Sequence, residues 1–253
     1  MLDINRGLGW IPDLPDHRDY YLSLAPIPNL PSKVDLREND AAIFDQGRLG
    51  SCTAQAISAA YMHNLKKQNE EMFIPSRLFI YYNERSMIGT VNRDSGAMLR
   101  DGIKSINKEG VCNETCWPYD ITVFTKKPPR KCYREAKNYQ TIAYSRVNRN
   151  LDDMKSCLAS GLPFVLGFTV YESFYSKETA NGGIMLWPEK TERALGGHAV
   201  MAIGYDDNLE GGRFIIRNSW GTNWGDKGYF YMPYEYLTNN NLSADFWVIQ
   251  SVE

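Results

Sequence analysis

The chain has 253 residues, 43% of them apolar and 23% charged, and a formal net charge of -2. These are the proportions of a soluble globular protein with room for one large domain or two small ones packed together. They leave no electrostatic footprint for nucleic acid or an anionic membrane, and no stretch approaches the roughly 20 apolar residues that cross a bilayer.

Residues 1–31 carry Pro12, Pro15, Pro26, Pro28 and Pro31. Proline removes a backbone donor and disfavours helix, so an extended segment lying over the surface is expected. Trp10, Ile11, Leu14, Tyr20, Tyr21 and Leu24 make it too apolar for a free tail, so it is expected to dock on the folded body. Its start carries Asp3, Arg6, Asp13, Asp16, Arg18 and Asp19 without an apolar run. That is not a secretory signal, and a cytoplasmic location is favoured.

The Ala-rich run from Ser51 to Gln68 places Ala56, Ile57, Ala60, Tyr61, Asn64 and Leu65 on one helical face. Ser51 is a suitable N-cap, and Gly50 allows a sharp turn before it. Helices are also expected over 76–86, 96–107 and 151–160. Runs rich in β-branched and aromatic residues follow at 164–171, 198–205, 213–218, 228–232 and 246–252, separated by Gly and Asn. Helices first and strands second indicate an α+β protein with two subdomains, the second an antiparallel sheet or barrel.

Five cysteines, 52, 112, 116, 132 and 157, leave at least one thiol free. Cys112, Cys116 and Cys132 would need a fourth soft or imidazole ligand to hold zinc. Neither His17, His63 nor His198 is near them in sequence, so no metal and no cofactor are expected. A loop disulfide joining Cys132 to Cys112 or Cys116 and three free thiols remain equally open.

Cys52 falls in the first turn of its helix, where the dipole and unpaired amides favour a thiolate. Gln46, on the preceding loop, can aim its side-chain amide at the same place, as an oxyanion hole requires. His63 lies about 16 Å of helical rise from Cys52, and His17 lies in the Pro-rich segment. His198 is therefore the candidate base. Asn218 ends an apolar strand, and its amide can accept from an imidazole N–H and fix the ring without adding charge. Trp220 can shield that bond from water.

Together the segments DQGRLGSCTAQA, GGHAVMAIGYD and RNSWGTNWGDKGYFYM, in the order Cys, His, Asn, resemble the papain family of cysteine peptidases over roughly residues 31–253. VDLRE and WPYD add shorter matches. The resemblance implies a two-lobed fold with the active site in the cleft. A helical subdomain (31–145) would carry the nucleophile and a β-barrel-like subdomain (146–253) the His and Asn, after a propeptide-like or strap segment (1–30). It implies Cys52 as nucleophile, His198 as base and then acid, Asn218 as orienter and Gln46 as oxyanion donor with the Cys52 amide. Ser95, Gly96, Ala97, Met98, Gly197 and Trp220 would line the substrate cleft, with the Ser95–Gly96 backbone pairing with an extended peptide. Leu49 stands where the family often has Cys and Thr53 where it often has Trp, so one framework disulfide cannot form, as in a microbial-type branch.

The expected partner is a peptide or protein substrate, met by a monomer, with no nucleic acid and no membrane. Cys52 and His198 are expected to form a thiolate–imidazolium pair before substrate arrives. Residues 1–30 either restrain activity near the cleft, as in a zymogen, or only strap the fold. An acyl-transfer enzyme of transpeptidase or transglutaminase type, or an inactive peptide-binding homologue, would carry the same residues. Asp245 either reaches the floor of a specificity pocket or starts the last strand in solvent.

Overall fold

The computed structural model describes residues 6–25 and 27–253; Asp3 and Pro26 lie outside them. In chain order the regular elements are β1 (Lys33–Asp35), α1 (Cys52–Gln68), α2 (Arg77–Met87), α3 (Leu99–Lys108), α4 (Arg130–Ala136), β2 (Thr141–Arg146), α5 (Leu151–Ala159), β3 (Phe164–Tyr171), α6 (Lys177–Gly182), β4 (Ala194–Asp206), β5 (Arg213–Arg217), β6 (Tyr229–Pro233), α7 (Tyr234–Thr238) and β7 (Ser243–Val252).

Every residue of α1 from Cys52 to Leu65 is buried. A helix covered on all sides has to be central, and small Ala side chains let its neighbours approach closely. Asn69, in the left-handed region at φ 57°, ends it. Ser76 caps α2 by accepting from Phe79 N. Ser51 sits at the N-cap position of α1 but makes no side-chain capping bond; its hydroxyl is taken by Tyr119 Oη at 2.6 Å.

The sheet runs β2-β7-β3-β4-β5-β6, with β1 added beside β4. All its pairings are antiparallel. Period-two alternation sorts its side chains to two sides. Val165, Ala199, Met201 and Ile203 join the core built on α1, α2 and α3. Phe164, Phe168, Val200, Phe214, Trp220 and Phe230 fill a second core on the opposite face. Burying side chains of this size contributes about 1.5–3 kcal/mol each, so the two cores fix the sheet that carries His198 against the helix that carries Cys52.

The expected helices and the five strand runs all form, within a few residues of their expected ends. β4 begins earlier than expected because Gly196 and Gly197, which read as a turn, pair with Val170 and Thr169. β1, β2, α4, α6 and α7 were not expected: β1 has three residues, β2 is a half-exposed edge, α4 starts behind two prolines, and α6 and α7 have only six and five residues. The strap also docks differently. Leu14, Tyr20 and Tyr21 are exposed by 67%, 81% and 61%, so its apolar anchoring falls to buried Trp10 and to half-buried Leu8, Leu22 and Leu24.

Candidate active site

Cys52 opens α1 and is fully buried. Backbone groups of Ala199, Gly9 and Thr53 lie around its sulfur and favour its charged form, against the effect of burial. His198 stands on β4, opposite Phe168 of β3. Its Nε2 and Asn218 Oδ1 are 2.8 Å apart. Asn218 follows β5 and is held by donation from its own N–H to Gly228 O, 2.9 Å, while its Oδ1 also accepts from Ser219 N at 2.8 Å. The Trp220 ring lies 5.0 Å from the imidazole, centre to centre, with an edge-on Phe168 on another side. An aromatic cluster of Phe174, Tyr175 and Trp224 fixes Trp220 in turn. Nδ1 of His198 is buried and has no hydrogen-bond partner among the described residues.

Gln46 is buried beside the start of α1. Its Oε1 accepts from Ser219 Oγ at 2.6 Å, and its backbone N–H donates to Ser219 O. Those two bonds leave Nε2 as the outward donor, and it reaches Gly7 O and Leu49 O, both at 2.9 Å. Tyr119 of the WPYD run donates to Gln46 O at 3.0 Å and pairs with Ser51. Nothing but that short match in the sequence singled out Tyr119, and Ser219 carried no assigned role.

The cleft beside Cys52 is filled by residues 7–11. Trp10 N donates to Gly197 O at 3.0 Å, Ile11 N to Ala97 O at 2.9 Å, and Ala97 N to Gly9 O at 2.8 Å. The strand-like pairing falls on Ala97 and not on Ser95, whose hydroxyl bonds Thr90 and its own chain. Gly96, at φ 70°, has the Gly9 backbone where a side chain would stand. Met98 caps α3 by position. The Trp10 ring lies against Gly167 and Gly197, where added Cβ atoms would fall 1.9 Å from Cε2 and 2.3 Å from Trp10 O.

Trp10 Nε1 donates to Asp245 at 3.0 Å, and Asp13 N donates to the same carboxylate at 2.7 Å. Asp245 is buried, with φ 59°; the solvent-exposed alternative for it does not hold. Beyond it, Asp13 accepts from Trp247 Nε1, Arg146 Nη2 and Arg100 N. Asp19 pairs with Arg100 at 2.5 Å and Arg146 at 2.7 Å.

The sequence profile of the papain family cysteine proteases matches residues 30–245. An uncharacterized peptidase C1-like protein of Acanthamoeba polyphaga mimivirus is 43% identical, over 98% of this chain and 88% of that one. The chain belongs to the papain family. Xylellain, a cysteine protease from Xylella fastidiosa, superposes with a TM-score of 0.90 at 46% identity, covering 98% of this chain and 97% of that one. The proCathepsin B S9 of Trypanosoma congolense shares the fold, with a TM-score of 0.77 at 17% identity over 98% of this chain and 87% of that one.

In this papain-family cysteine peptidase the filled cleft takes water away from the dyad. Burial pushes the Cys52 thiol up to about 12, and burial pushes His198 down to about 4 despite its bond to Asn218. Removing water penalises both charges. With the cleft filled, burial therefore works against the charged form of both partners. The expected thiolate–imidazolium pair assumed a solvated cleft, which the sequence could not show to be occupied.

Proposed function

We propose that this cysteine peptidase hydrolyses peptide bonds through a thioester on Cys52, and that residues 7–11 keep it latent by occupying its own substrate cleft. One observation carries the reading: Gln46 Nε2, Ala97 N and O, and Gly197 O all hydrogen-bond a peptide backbone, and that backbone is the chain's own. Groups that bind a strap this way can bind an extended substrate once it leaves.

In the open enzyme His198 Nδ1, the unpaired ring nitrogen, takes the Cys52 proton while Asn218 holds the ring. The thiolate attacks the peptide carbonyl, and Gln46 Nε2 with the Cys52 amide stabilises the oxyanion. The imidazolium protonates the leaving amine, and the neutral ring then activates water to release the acid.

The test compares the intact chain with one lacking residues 1–28 on a short fluorogenic peptide. The trimmed chain should gain at least about 100-fold in kcat/KM, a share of about 3 kcal/mol in access to the transition state. A synthetic peptide of residues 6–13 should restore inhibition. Unchanged kinetics with lower stability would make the segment a structural strap only. Turnover retained by a trimmed Cys52→Ala chain would remove Cys52 as nucleophile. Amine adducts replacing the free acid as main product, when an amine is added, would indicate transfer in place of hydrolysis.

A further inference from the structure

Away from the cleft, Cys112, Cys116 and Cys132 bring their sulfurs within 4.8 Å of one another. Cys112 and Cys132 are fully buried and Cys116 is half-buried. The backbone holds them there: Ser76 N donates to Cys112 O at 2.8 Å, Cys116 N to Asn113 O at 2.9 Å and Cys132 N to Pro129 O at 2.9 Å. Glu135, one turn along α4 from Cys132, accepts from Asn113 N at 2.8 Å and so ties the helix to the loop. Cys116 Sγ and Cys132 Sγ are only 2.7 Å apart.

We propose that these three thiols form a redox site in which Cys116 and Cys132 join as a disulfide, with Cys112 as the thiol that can take over the bond to Cys132. The sulfur contact decides between this and a metal. A tetrahedral zinc with bonds of about 2.3 Å spreads its sulfurs to about 3.8 Å, well beyond the contact seen, whereas a disulfide draws them to about 2.05 Å. The nearby carboxylate, Glu135, is already engaged by a backbone amide.

The oxidant is a small-molecule disulfide, which reaches the cluster at half-buried Cys116. The Cys116 thiolate attacks one sulfur of that disulfide and expels one thiol. Cys132 then attacks Cys116 in the mixed disulfide and expels the second. Two protein thiols and one small disulfide become one protein disulfide and two small thiols, which carry away both protons. Lost hydration, then Cys132 and Glu135, push Cys116 up to about 12. The link so formed acts as a latch on its loop.

The latch bears on the catalytic lobe. The loop that it closes contains Trp117, whose carbonyl accepts from Ser76 Oγ, and Tyr119, which holds Gln46 O and Ser51 Oγ just before the nucleophile. The closed loop removes freedom from the unfolded chain, worth a rise of about 5–10 °C in Tm for a protein of this size.

The test uses the full chain carrying Cys52→Ala, so that the active-site thiol neither reacts nor digests the sample. After incubation with oxidised glutathione and acid quenching, non-reducing peptide mapping should show a Cys116–Cys132 link, two thiols lost and the Tm raised. Cys116→Ser should move the link to Cys112–Cys132, and Cys112→Ser should leave the original link and the Tm gain in place. All thiols remaining titratable after exhaustive oxidation, or a link that excludes Cys132, would overturn the proposal. So would a reduced chain that takes up one zinc per molecule and thereby protects all three cysteines from alkylation.

Discussion

The side-chain amide of Gln46 donates to the carbonyl oxygen of Gly7 at 2.9 Å. A peptide oxygen therefore already rests on the group that the proposed mechanism uses to hold an oxyanion. Ser219 Oγ, donating to Gln46 Oε1 at 2.6 Å, leaves the amide no freedom to flip. In the trimmed chain, Gln46→Ala and Gln46→Glu should each lower kcat by about 10²–10³ with little change in KM, because neither keeps the N–H donors. Ser219→Ala should cost less, about tenfold, since it loosens the amide without deleting it. Steady-state kinetics decide; a loss below about threefold for Gln46→Ala would give Gln46 another role.

Gly167 supplies a second handle on the strap. A methyl group there would fall 1.9 Å from Trp10 Cε2, and two rigid groups cannot share that space. Gly167→Ala should expel the indole and raise the activity of the intact chain at least about tenfold, corresponding to about 1.4 kcal/mol taken from docking. Trp10→Ala should do the same. The double variant should add little to either, since both delete one contact. An intact Gly167→Ala chain that is folded and as latent as its parent would show that Trp10 does not anchor the strap.

The two charge states of the dyad predict different alkylation profiles. In the covered site burial raises the thiol to about 12 and lowers the imidazole to about 4, so lost hydration disfavours both charges. Readmitted water stabilises both ions, and the pair can then share its proton as thiolate and imidazolium. Iodoacetamide should label Cys52 of the trimmed chain with an inflection below about pH 6, and label the intact chain far more slowly across the same range. Superimposable profiles would mean that the strap does not control the dyad's charge.

How much of this was legible beforehand depends on how local each signal is. Helix α1 and the strands of the sheet announce themselves through period and composition; the nucleophile and the imidazole lie inside those elements, and the amide partner follows directly on β5. The docking of the strap could not be read. Arg100, Arg146 and Asp245 are single charges on α3, β2 and β7, brought together with Asp13 and Asp19 only by the fold. The same distance in sequence hid the pairing of Trp10 Nε1 with Asp245. Three of the six apolar strap residues read as docked, Leu14, Tyr20 and Tyr21, are exposed, because composition cannot tell which side of an extended segment faces the body.

Asp13 gives the docked strap a pH dependence whose sign is opposite to acid release. Burial, then the facing Asp245 carboxylate, raise its pKa from 3.8 to about 6, against the lowering effect of Trp247, Arg100 and Arg146. The docked strap therefore holds the Asp13 proton more tightly than a released one does. Its contribution to docking is complete below the ordinary value near 3.8 and is lost as pH rises through about 6. Acidification from about pH 7 to pH 4.5 should accordingly lower the activity of the intact chain relative to the trimmed chain, by up to about tenfold. Asp13→Asn, which keeps the neutral form at every pH, should flatten that ratio. An intact chain that gains on the trimmed chain over the same acidification would show that groups other than Asp13 govern release.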